Sequence, residues 1–131
     1  MKNKVKPILI TILIIPTILI LFMAGKYVLN TLFGDICENE IVQTVPSPNG
    51  EKVAYIFTRD CGATTSPSPQ LSILNKDEIL QNESGNTFRS DKEFSIGWHT
   101  NIKLQVNYEK NSKTYEMDKS VNGIEIGYVG K

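Results

Sequence analysis

The residues of this chain with the greatest capacity for chemistry stand together. Arg59, Asp60 and Cys61 lead into the run Gly62-Ala63-Thr64-Thr65, with a second cysteine at Cys37 and a single histidine at His99. A guanidinium and a carboxylate at the mouth of a hydroxyl-bearing loop have the means to bind a small anion or a peptide terminus. Arg59, Asp60, Thr64 and Thr65 are therefore the candidate binding residues. The plainer reading is that Asp60 and the threonine hydroxyls satisfy backbone donors of a tight loop, while the Asp60 carboxylate pairs with Arg59 or a neighbour.

No catalytic residue is assigned. His99 falls in a stretch that reads as a hairpin turn, without a G-x-S-x-G elbow elsewhere to supply a nucleophile. The carboxylate pairs Glu38 with Glu40 and Asp77 with Glu78 lack a second element that would mark an acid/base site. No phosphate-binding glycine loop or dinucleotide fingerprint is present. Two cysteines so far apart, with one histidine, fall short of zinc-ligand spacing, so neither a metal nor a cofactor is expected.

Charge narrows the field further. The 14 basic and 14 acidic residues balance, but Lys2, Lys4, Lys6 and Lys26 flank one apolar run, leaving 10 basic against 14 acidic from Tyr27 onward. A mildly acidic body without basic residues interleaved with aromatics is poorly suited to neutralising phosphates, which argues against nucleic acid as a partner.

The apolar run is PILITILIIPTILILFMAG, residues 7–25, nineteen positions without a charge. As a helix it spans about 28 Å, close to the hydrocarbon thickness of a bilayer. Pro16 removes one backbone donor, which a membrane helix tolerates. The lysine-rich stretch before the run resists translocation, so residues 1–6 are expected in the cytoplasm and the body outside it. A cleaved signal peptide would need small residues at the cleavage site, where Phe22-Met23-Ala24 places a bulky Phe. A lipoprotein would need a cysteine just after the run, but the first is Cys37. The expected organisation is a cytoplasmic tail (1–6), a transmembrane helix in the lipid bilayer (7–25), a juxtamembrane linker (26–36) ended on its helical side by Gly34, and an extracytoplasmic β domain (37–131).

The body reads as mainly β, a small antiparallel sheet domain of sandwich or open-barrel type, because its apolar residues recur with period two between turn-forming clusters. The first hairpin joins Glu40–Val45 to Lys52–Arg59 through Ser47-Pro48-Asn49-Gly50, with Gly50 in the left-handed position. If paired residue numbers sum to 98, Val45 opposes Val53, Ile41 opposes Phe57 on one apolar face, and Cys37 opposes Cys61. That geometry, and an oxidising compartment, favour a disulfide. Free buried thiols, a redox pair or half a metal site are the competing readings.

Residues 60–69 look too rich in Pro and Ser to pair, Gln70–Asn75 reads as a third strand, and Asp77–Gln81 as a helical turn. A second hairpin sets Trp98 against Ile102 and Ile96 against Leu104, turning at His99-Thr100-Asn101. Tyr115 with Met117, and Ile124, Ile126 and Tyr128, suggest two final strands.

The stretch CENEIVQTVPSPNGEKVAYIFTRDCGATTSPSPQLSIL resembles the signature of an uncharacterised family of small bacterial membrane-anchored or exported proteins, marked by C-x-N-E, P-S-P-[DN]-G and R-D-C-G-A-T-T. The resemblance implies an exported domain with paired cysteines and no particular reaction. SPNGEKVAYIF is also similar to a hairpin of periplasmic β-propeller blades, which implies a blade-like local hairpin only. Together these features point to a noncatalytic extracytoplasmic interaction module with an unknown envelope or membrane-protein partner. A small enzyme or thiol-redox protein using Cys37 and Cys61, and an accessory subunit of a membrane complex, are the alternatives.

Overall fold

A computed structural model describes residues 5–33, 36–62 and 65–131. The chain divides into two compact units, residues 1–36 and 37–131.

The first unit is one helix, α1 (Val5–Phe33), with Pro16 inside it. Its apolar stretch Lys6–Leu29 is long and apolar enough to cross a membrane and has no part buried against protein. Thr11, Thr17 and Thr31 each donate a hydroxyl to the carbonyl four residues earlier, at 2.7–2.8 Å. Their polar groups are thereby satisfied within the helix, as a lipid environment requires. The helix continues past Lys26 to Phe33, so most of the stretch expected as a linker is helical. Gly34, expected to end it, lies outside the described residues.

The second unit is built from nine strands: β1 (Glu38–Pro46), β2 (Lys52–Asp60), β3 (Ser68–Asn75), β4 (Phe88–Ser90), β5 (Ser95–Thr100), β6 (Lys103–Tyr108), β7 (Thr114–Met117), β8 (Ser120–Val121) and β9 (Ile124–Gly130). They form a five-stranded sheet, β1-β2-β3-β4-β7, and a four-stranded sheet, β5-β6-β9-β8. Every pairing is antiparallel except β6 with β9, which is parallel. Ala54, Ile56, Leu71, Ile73 and Phe88 from the first sheet cluster with Leu104, Val106, Ile124 and Ile126 from the second. This is a sandwich, with inward residues of both sheets making one core.

The first turn forms as its residues dictate. The Gly50 N–H donates to the Ser47 carbonyl at 2.8 Å, and Gly50 adopts φ 71°. The Asn49 side-chain oxygen accepts from Ser47 Oγ and from the Glu51 N–H. Below the turn the expected register holds only in part. Ile41 does oppose Phe57, but an irregularity between Ile41 and Gln43 moves the upper half by one, so Val45 opposes Ala54 rather than Val53. A bulge of this kind lets the cysteine end and the turn end of one hairpin follow different registers.

The apolar face assigned to Ile41 and Phe57 is also corrected. Strand alternation puts Ala54 and Ile56 toward the core and Phe57 on the opposite face. Phe57 is nonetheless fully buried. Its β3 partner Gln70 accepts from the Gly85 N–H at 2.7 Å, and Ser72 Oγ accepts from the Asn86 N–H at 3.1 Å. Gly85 and Asn86 thus lie against this back face of β3.

Three further expectations change. Ser68 and Pro69 belong to β3, where Pro69 occupies the second position of the strand and pairs with Thr58. Residues 77–81 form no helical turn; Asn75–Glu78 closes a β-turn, with the Glu78 carboxylate accepting from the Asn75 N–H. In the second hairpin Trp98 opposes Leu104 and Ile96 opposes Val106, with the turn at Asn101-Ile102. The slip of two keeps every side chain on its expected face but moves Ile102 into the exposed turn and His99 into a strand.

Candidate functional site

Two strands and one loop position the candidate residues. Arg59 and Asp60 are neighbours on β2, so alternation sends them to opposite faces. Arg59 opposes Asn39, and its Nη1 donates to Asn39 Oδ1 at 2.8 Å and to Asn82 Oδ1 at 3.0 Å. Those asparagines are themselves held. Asn39 Nδ2 donates to the carbonyls of Gln81 and Glu83, and Asn82 Nδ2 donates to the Cys37 carbonyl at 2.8 Å. Neutral oxygens fix the guanidinium without cancelling its charge, and among the described residues no carboxylate lies within ion-pair distance of it.

Asp60 does something different. Its Oδ1 accepts from the Gly62 N–H at 3.0 Å, closing an Asx turn in which Gly62 takes φ 102°. This is the plainer loop-capping role, and Asp60 has no ion pair with Arg59. Thr64 lies outside the described residues. Thr65 is exposed, and its N–H donates to the Gly62 carbonyl at 3.4 Å.

Arg59, Cys61 and Thr65 come together on a cleft of about 420 Å³ that also takes Ser68, Gln70, Asp91 and Tyr115 into its wall. Asp60 is separated from them and lines a neighbouring groove of about 610 Å³. Cys37 and Cys61 form a disulfide between the ends of β1 and β2, where both residues are half-buried and the register is the expected one. Asn39 and Asn82 escaped the sequence reading as site residues. Asn39 was visible in the C-x-N-E opening, but Asn82 sits in a stretch whose place in space only the fold reveals.

His99 is exposed, with Nε2 2.6 Å from Gln105 Oε1, and no nucleophile or acid bonds to it among the described residues. No group of three or more His, Cys, Asp or Glu gathers to hold a metal ion among the described residues.

Comparison with protein-family models, with curated proteins and with solved structures returned no match. The class defined by the fold is a helix of membrane-crossing length and composition followed by a disulfide-closed, two-sheet domain.

Proposed function

We propose that this chain is a membrane-tethered extracytoplasmic binding protein, in which α1 holds the β-sandwich at the membrane and the cleft at Arg59 and Thr65 contacts an envelope or membrane-protein partner. The observation that carries this reading is the guanidinium of Arg59, preorganised by Asn39 and Asn82 beside an open cleft and held in no ion pair among the described residues; Asp91, the one carboxylate lining that cleft, accepts from the Lys113 N–H instead. Such a group suits a partner's carboxylate, which a planar donor fork receives bidentately. The family resemblance of Cys37–Leu74 implies an exported domain with paired cysteines and bears on no particular partner.

The orientation rests on two independent features. Lysines concentrate on the side of α1 that precedes it, and the disulfide belongs to an oxidising compartment. A photo-crosslinking residue at Thr65, in the full chain in its native membrane, tests the cleft. The expected result is an adduct with one extracytoplasmic partner that Arg59→Gln abolishes. Adducts formed equally well by the Arg59→Gln chain end the proposal.

One observation favours a second reading, a thiol-redox protein. The disulfide is partly exposed, and Cys61 itself lines the Arg59 cleft, so a substrate thiol has a route to it. A redox equilibrium decides between them: a structural bond has a potential below about −300 mV, whereas a working redox pair titrates within roughly −270 to −120 mV. A third reading, an accessory subunit, draws on α1, which is exposed along its apolar length.

A further inference from the structure

β1 is the outermost strand of the five-stranded sheet and pairs only with β2. An unpaired edge is a template for another strand, and proteins normally blunt it. Here side-chain capping of the edge is confined to the two ends. The Cys37 carbonyl is capped by Asn82 Nδ2 and the Val45 carbonyl by Trp98 Nε1. Between those caps, among the described residues, no backbone group of Asn39–Thr44 bonds to anything but β2. The bulge lies in this window, and Ile41 and Val42 beside it are 51% and 65% exposed, two consecutive apolar residues turned to solvent.

The groove of about 610 Å³ runs beside the same window. Glu38, Glu40 and Asp60 supply its charge, and no lysine or arginine lines it. None of the three carboxylates is in an ion pair among the described residues. The free edge supplies main-chain hydrogen bonds, the apolar pair supplies contact area, and the acidic groove sets the sign of the partner's charge.

We infer that the edge of β1 between Cys37 and Val45 is a docking strand for an extended, basic segment of a partner polypeptide, which adds to the sheet by strand pairing. Its lysine or arginine side chains enter the groove over Glu38, Glu40 and Asp60, and an apolar residue covers Ile41 and Val42. The groove shares Asn39 and Asn82 with the Arg59 network, whereas its carboxylates and the Ile41–Val42 pair lie outside the Arg59 cleft, so substitutions at those positions separate this proposal from that reading.

The test uses the full chain in nanodiscs of zwitterionic lipid and a fluorescent ten-residue peptide of alternating Lys and Val. Saturable binding is expected, weakened about tenfold or more by Glu38→Lys with Glu40→Lys and unchanged by Glu125→Lys, a charge reversal at an exposed carboxylate of the second sheet. A peptide N-methylated at alternate positions probes the unmodified chain and is expected to lose binding, so the test survives a variant that misfolds. Equal binding of the Glu-Val peptide, of the N-methylated peptide, or of the Lys-Val peptide to empty nanodiscs overturns the proposal. So does a Val42→Cys chain that crosslinks to a second copy of itself through this edge.

Discussion

The indole N–H of Trp98 donates to the carbonyl of Val45 across 3.1 Å, tying β5 of the second sheet to the outer strand of the first. The two sheets are thereby joined by a polar contact at the rim as well as by their shared core. Trp98→Phe keeps most of the ring and removes the donor, so a loss of about 1 kcal/mol is expected. Denaturant unfolding checks it, with a shifted midpoint and an unchanged slope.

Gly85 lies against β3 so closely that a Cβ there would stand 2.8 Å from the Leu71 carbonyl oxygen and 3.1 Å from Gln70 Cβ. Gly85→Ala must push the segment around Gly85 away from β3, breaking the bond from the Gly85 N–H to Gln70. The expected cost is about 1–3 kcal/mol, read as a lower melting temperature. Faster amide exchange at Asn86 should accompany it.

The disulfide spans a sequence separation of 24. Closing a loop of that size restricts the unfolded chain, so Cys37→Ser with Cys61→Ser is expected to cost about 3 kcal/mol. The Arg59 network depends on the same strand ends, since Asn82 bonds to the Cys37 carbonyl. Capture of a partner through Thr65 should therefore weaken in the double variant at temperatures where the core remains folded.

Tyr128 provides a pH signature. Its hydroxyl donates to the Asp118 carbonyl at 2.5 Å, with the Thr87 carbonyl 3.3 Å away. Burial first, then the carboxylates of Asp118 and Glu116, push its pKa well above the usual phenol value. The unfolded tyrosine ionises first, near pH ~10. The associated stability is therefore complete below that pH and is lost as pH rises toward the folded group's higher pKa. Melting temperatures between about pH 8 and about pH 12 should fall less steeply for Tyr128→Phe than for the parent chain.

Much of the secondary structure was legible, for local reasons. A run of residues without charge can satisfy its backbone in lipid only as a helix. Ser47-Pro48-Asn49-Gly50 carries its turn in its own side chains. The hairpin Val121-Asn122-Gly123-Ile124 has the same property, with φ 50° and 78° at its centre, although the two residues of β8 were too short to read as a strand. The candidate site was half legible. Arg59, Asp60 and Cys61 stood out by type, but adjacent residues on a strand face opposite ways, so the apparent Arg59–Asp60 pair does not exist. Asn82, 23 positions from Arg59, holds it instead.

By itself the sequence determined the apolar helix and the Ser47–Gly50 turn, because each depends on neighbours within a few residues. The tertiary structure decided which strands share a sheet, the parallel pairing of β6 with β9, the bulge beside Val42 and the burial of Phe57 on the face away from the shared core. Alternation fixes the face of a side chain but leaves its partner open, since a register slip of two preserves every face. Only the competition of all strands for one core selects among those registers.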